Sequence, residues 1–269
     1  MSIIAGNTKH EIPGLKTICW EDSATDQIKY ITDKSDRKQW IRGIVCHTNK
    51  GKTGVVLPGV GSDSGQAVKL ARYQTNTDRQ VSWDFTEEQD GVWYIQNDVL
   101  KHYSWQAGMV NGVTCGFEMV QGEDGSVYEI QIKNAVLFID FLTARLGIQR
   151  QIPWDKKKDK PASKPIKRIS EDNGVDVVGI YGHRNQTDNR GFGDPGDHIF
   201  YALRDAGYEL FDYDNQEDLN TWKTRQTEVL GLTTGVDGVC GPKTVELLKQ
   251  HGYKHGMWVS RPMDSLIQL

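Results

Sequence analysis

The chain has 269 residues, 37% of them hydrophobic and 25% charged, with 28 Gly and only 8 Pro, which excludes a disordered, collagenous or coiled-coil protein and allows one well-cored domain plus a small satellite. Its 32 basic and 36 acidic side chains give a formal net charge of -4, so no global positive field argues for nucleic acid or a membrane surface. No run approaches the roughly 20 apolar residues of a membrane span, and the four cysteines, without a CxxC pair, read as reduced thiols.

The opening MSIIAGNTKHEIPG lacks a basic stretch followed by an apolar one, so the chain is expected to be made in the cytoplasm without a signal peptide. Trp40 to His47 (WIRGIVCH) reads as a short buried strand that ends in a histidine and a polar loop. Over GQAVKLARYQ the apolar spacing of Val68, Ala71 and Leu70 or Tyr73 predicts a surface helix. VSWDF and VWYIQ, joined by a turn through Asp90-Gly91, read as a β-hairpin. Gly112 to Gln121 predicts another strand. From about Ile132 to Leu146, Ala135, Val136, Phe138, Ile139, Leu142 and Leu146 recur at three- and four-residue spacing, the clearest helix in the chain.

The Lys- and Pro-rich stretch 153–174 reads as a long exposed loop, an insertion. Within it, Lys156 to Arg168 holds seven basic residues, which suits either a solvated loop or attraction to anionic envelope polymers. Val175 to Tyr181 predicts a strand running into Gly182-His183, and HIFYALRDAG a helix. Alternating strands and helices indicate an α/β domain, a mixed central sheet flanked by helices, over residues 1–212. The acidic run Asp212 to Asp218 reads as a linker. Residues 213–269 then form a small all-α unit, with Pro242 opening one helix and Gly252 following it.

His47 and His183 each follow an apolar strand, so both sit where a sheet edge can bring distant side chains together. Alone, either is accounted for as a buried histidine bonded to backbone. Asp194, eleven residues beyond His183, adds an oxygen donor, and two nitrogens, one oxygen and a water make a catalytic zinc arrangement. Asp194-Pro195-Gly196 also fits a plain helix start with a capping side chain. His198 is a rival ligand, but helical pitch turns it aside.

These residues resemble the zinc N-acetylmuramoyl-L-alanine amidases of the peptidoglycan recognition protein type, which include phage endolysins. The likeness spans about 150 residues: the strand ending in His47, the VSWDF to DGVWYIQ hairpin, Trp105-Gln106-Ala107-Gly108 like the family's Trp-His-Ala-Gly, CGFEMV like its Ile-Gly-Ile-Glu, and GHR followed by DPG. The resemblance implies that fold, Zn²⁺ as cofactor, and peptidoglycan as partner. It puts His47, His183 and Asp194 in the places of the zinc ligands and Glu118 in that of the residue acting on the water. From strand alternation alone, Glu118 reads as an outward residue opposite Phe117 and Met119. Asp84 and Gln106 stand where the family often has histidines, and Phe192 replaces a family lysine, for which Arg190 is the candidate substitute. Trp83, Trp105 and Gln106 are the candidate substrate contacts.

Gly235 to Thr244 (GVDGVCGPKT) is similar to the helical peptidoglycan-binding domain, in which permissive glycines make a tight turn before a proline-opened helix. The combined expectation is a monomeric lytic amidase with a C-terminal wall anchor, acting on the wall after release, with neither nucleic acid nor a membrane as partner. A cytosolic wall-recycling amidase, an injected antibacterial effector and a binder without activity are the alternatives. The complete ligand set favours catalysis.

Overall fold

A computed structural model describes residues 2–5, 8–19, 36–38, 41–79, 81–169 and 179–224, together with 227, 231, 247 and 250. The Gly235 to Thr244 motif, and with it most of the predicted wall-binding unit, lies outside the described residues. So do Cys240 and the first part of the predicted 175–181 strand.

In chain order the strands are β1 (Ser2–Ala5), β2 (Thr8–Glu11), β3 (Thr17–Cys19), β4 (Gly43–Thr48), β5 (Val56–Leu57), β6 (Phe85–Glu87) and β7 (Trp93–Ile95). They continue with β8 (Thr114–Met119), β9 (Val127–Tyr128), β10 (Gln151–Asp155), β11 (Lys160–Pro161), β12 (Gly179–Gly182) and β13 (Glu209–Phe211). The helices are α1 (Gln66–Asn76), α2 (Glu129–Leu146), α3 (Asp197–Asp205) and α4 (Gln216–Thr224). Six strands form the central sheet in the order β12-β4-β8-β6-β7-β3, mixed because only β6 and β7 are antiparallel neighbours. A second sheet, β11-β10-β13, pairs β10 antiparallel with β11 and parallel with β13. The fold is therefore the expected mixed α/β architecture.

The core forms where α2 lays its apolar stripe on one face of the central sheet. Ala135, Phe138, Ile139, Leu142 and Leu146 are all fully buried, with Cys46, Phe85, Trp93 and Phe117 in the same cluster. Phe138 stacks on Trp93 with ring centroids 3.8 Å apart and meets Phe85 edge-on at 4.8 Å. Arg145 in the last turn and Gly147 in the left-handed region (φ 65°) end the helix as its sequence signals suggest. Cys19, Cys46 and Cys115 are buried in the same core cluster.

Three expectations need correction. The hairpin pairs Phe85 with Ile95, so its first strand starts later than VSWDF and runs through Thr86 to Glu87, a residue that read as turn. The displacement follows from Asp84, whose buried carboxylate accepts hydrogen bonds from Asn97 Nδ2 (2.6 Å), Ser104 Oγ (2.9 Å) and the Gly116 N–H (2.8 Å). The stretch read as a loop from residue 153 holds strand residues, with Trp154 only 1% exposed and Ile169 fully buried. Its lysines hid two apolar anchors. Likewise the acidic run read as a linker is folded: Asp212 is buried and accepts the Lys156 N–H (3.1 Å), Asp218 accepts the Asp212 N–H (2.8 Å), and α4 already begins at Gln216.

Candidate metal centre

Parallel pairing of β4 with β8 sets His47 directly beside Glu118, and pairing of β6 with β8 sets Thr86 beside Glu118. Side chains alternate across a strand, so Cys46, Phe117 and Phe85 enter the core while Thr86, Glu118 and His47 form a polar row on the opposite face. β12, on the other side of β4, ends at Gly182 and hands His183 to a 3₁₀ turn, His183–Asn185. Asn185 fixes that turn by accepting the Gly182 N–H at 2.9 Å and donating to the Ala162 carbonyl at 2.7 Å.

Asp194 closes the arrangement. Its Oδ1 accepts the Thr48 N–H at 3.0 Å and its carbonyl accepts the Arg184 N–H at 2.9 Å, which ties the loop to the ends of both histidine-bearing strands. Thr48 Oγ1 also donates to the Gly193 carbonyl. A Cβ on Gly193 would lie 2.0 Å from the Lys52 backbone, so only glycine permits this approach. The helix-start reading of Asp194 does not hold, because α3 starts at Asp197 with Gly196 at its N-cap.

His47, His183 and Asp194 are all buried, and one donor atom from each falls within 4.8 Å of the others. His47 Nδ1 is 3.8 Å from Asp194 Oδ1, His183 Nδ1 is 3.5 Å from Asp194 Oδ2, and the imidazoles meet edge-on at 4.5 Å. Burial, then the neighbouring His183, pushes the His47 pKa down to about 3, so the ring is neutral. Burial alone would raise Asp194, but its hydrogen bond to His183, the two adjacent imidazole rings and the Thr48 N–H outweigh that and hold it below the ordinary carboxylate value. His47 Nε2 is buried without a hydrogen-bond partner. A neutral His47 imidazole with an unpartnered ring nitrogen, a second buried imidazole and an ionised carboxylate make a donor set that suits a zinc ion.

The centre opens into a cavity of about 420 Å³ whose walls include Glu118, Trp83, Gln106 and Arg190. Burial, then Asp194, raises the Glu118 pKa well above the usual carboxylate range, with Arg190 opposing. Gln106 lies over Gly116, where a Cβ would come within 1.6 Å of its Oε1. Arg190, half-exposed, places Nε 3.8 Å from Asp194 Oδ2. Phe192, in the place of the family lysine, is 65% exposed and does not line the cavity. Trp105 stays out of it too, its ring 5.6 Å from that of Tyr103, and His198 lies within α3. The sequence did not single out Asn49, Lys50, Tyr73, Arg79 and Asn189, which also line the walls. Position after His47 was the available signal for Asn49 and Lys50. Tyr73 and Arg79 carried none, because α1 read as a surface helix.

No protein-family model and no curated protein matches the chain. Among solved structures, drosophila peptidoglycan recognition protein SD aligns at TM-score 0.43 with 10% identity, over 74% of this chain and 98% of that one. N-acetylmuramoyl-L-alanine amidase LysC from Clostridium intestinale aligns at 0.37 with 12% identity, over 70% and 97%. A mutant endolysin from Bacillus subtilis aligns at 0.34 with 23% identity, over 51% and 80%. At this level of similarity the functional reading stands on the site's own geometry.

Proposed function

We propose that the chain is a zinc-dependent N-acetylmuramoyl-L-alanine amidase that cuts the amide between N-acetylmuramic acid and the L-alanine of peptidoglycan. The observation that carries the reading is the convergence of His47, His183 and Asp194 beside an open cavity, with Glu118 in register with His47 on the adjacent strand. His47, His183 and Asp194 would hold the ion. A zinc ion bound there would supply polarisation of the amide carbonyl and a water acidified to a pKa of about 7.

Glu118 takes the proton of the attacking water as the oxygen–carbon bond forms, and passes it to the nitrogen as the carbon–nitrogen bond breaks. Burial disfavours the Glu118 carboxylate and so strengthens it as a base once ionised. Arg190 donates to the oxyanion. Arg190→Ala is therefore expected to lower kcat with zinc content unchanged, and an unaffected rate removes Arg190 from the site. Trp83 and Gln106 contact the substrate from the cavity wall, and the Gly235 to Thr244 motif tethers the enzyme to its polymer, raising local substrate concentration.

Mass spectrometry of digested sacculi, paired with metal analysis of the purified protein, tests this. Free stem peptides, lost on chelation, are expected. Cleavage within the glycan or the peptide crosslinks, or no cleavage by a zinc-loaded protein, overturns the reading. Faster turnover of intact sacculi than of soluble muropeptides is expected of a lytic enzyme, and the reverse of a recycling one.

A further inference from the structure

A second cavity of about 640 Å³ opens between the β10–β11 hairpin, the Lys167–Ile169 turn and the end of β13, and shares no lining residue with the His47 cavity. Its wall carries Lys157, Lys158, Lys160, Lys164, Lys167 and Arg168, in a chain whose formal net charge is -4. Three acids share the wall, and two of them are engaged. Asp155 accepts Lys158 Nζ at 2.7 Å, and buried Asp212 accepts the backbone N–H groups of Lys156 (3.1 Å) and Asp214 (2.9 Å). Asp214 remains as an exposed carboxylate on the rim. Lys157, Lys160 and Lys164 have no acidic partner within ion-pair distance among the described residues.

We propose that this cleft docks a linear phosphodiester polymer that carries no bases, held by Lys157, Lys160 and Lys164. The form of the site selects that chemistry. Capture of a single phosphate calls for donors converging on one point. Here Lys157 and Lys164 are exposed and Lys160 half-buried, on flexible stems from the β10–β11 turn, β11 and the segment after it, which suits charge repeated along a chain. Single-stranded nucleic acid calls for aromatic platforms on which bases stack. The aromatic rings of this cleft are structural instead: Trp154, Phe211 and Tyr213 are 1%, 2% and 9% exposed. A polymer of phosphates without bases uses the cations and loses nothing to the missing platforms.

Binding is measured without turnover, so the outcome is independent of the amidase reading. Fluorescence anisotropy of end-labelled poly(glycerol phosphate) with the full-length chain gives the affinity. Three neutralised phosphates predict a loss of roughly 20-fold between about 50 and 200 mM salt. Replacing Lys157, Lys160 and Lys164 together by alanine is expected to weaken binding at least about tenfold at low salt, and replacing all three by arginine to retain it. Removing three exposed lysines elsewhere, Lys16, Lys69 and Lys133, serves as the control for net charge and is expected to do much less. Equal loss in the control variant, unchanged binding in the alanine variant, or no binding by the wild type overturns the proposal. Full competition by inorganic phosphate at equal phosphate concentration, or tighter binding of an oligonucleotide of equal charge, overturns it in favour of those ligands.

Discussion

His47, His183 and Asp194 are buried and converge on a point, whereas Lys157 and Lys164 of the second cavity stand in solvent. Burial allows each neighbour to set the charge state of the next: His47 is driven neutral, Asp194 is kept ionised and Glu118 is made basic by groups on two strands, a turn and a loop. Water screens the rim lysines, so they act as a sum and not as a constellation. One region is therefore expected to fail when a single atom is removed, and the other to tolerate single changes.

The sharpest way to break that contrast is at Asp194. Asp194→Ala removes one of three donors together with the acceptor of the Thr48 N–H, and should abolish both stoichiometric zinc, read by metal analysis, and hydrolysis. Next comes Glu118→Gln, which keeps the shape and loses the base. Hydrolysis should fall by about 10²- to 10⁴-fold with zinc content intact. Loss of zinc in this variant would make Glu118 a ligand and void its assignment as the proton carrier.

The sequence made the site more legible than the frame that supports it. Strands ending in His47 and His183 announced themselves because apolar runs with a terminal histidine are short-range patterns, and the likeness of CGFEMV to a family strand singled out Glu118, which the structure sets beside His47. What stayed hidden depended on distant partners. Asp84 stood out only as a departure from a family histidine and is the buried acceptor for three donors, which lie 13, 20 and 32 residues away in sequence. β10 was masked by its neighbours: Trp154 and Ile152 are core residues set among prolines and lysines that, by composition, read as loop. The β13 strand, three residues long and paired with β10, is below the length at which alternation can be recognised.

Trp154 turns that correction into a measurement. If 153–169 were an exposed loop, Trp154→Ala would cost almost nothing, but a buried Trp whose Nε1 donates to Asp159 Oδ1 at 3.2 Å, and whose ring meets Tyr201 edge-on at 5.6 Å, should cost about 3–5 kcal/mol in denaturant unfolding.

The smallest effect is expected on the rim of the second cavity. Lys157 and Lys164 are exposed and unpaired with acids among the described residues, so alanine at both positions removes charge without removing packing. Stability should change by less than about 0.5 kcal/mol, in either direction, and zinc content and hydrolysis of soluble muropeptides should match the wild type because neither lysine lines the His47 cavity. A destabilisation comparable to that of Trp154→Ala would mean that the lysines hold the hairpin together. The contrast between a buried constellation and a solvated rim would then fail at the rim.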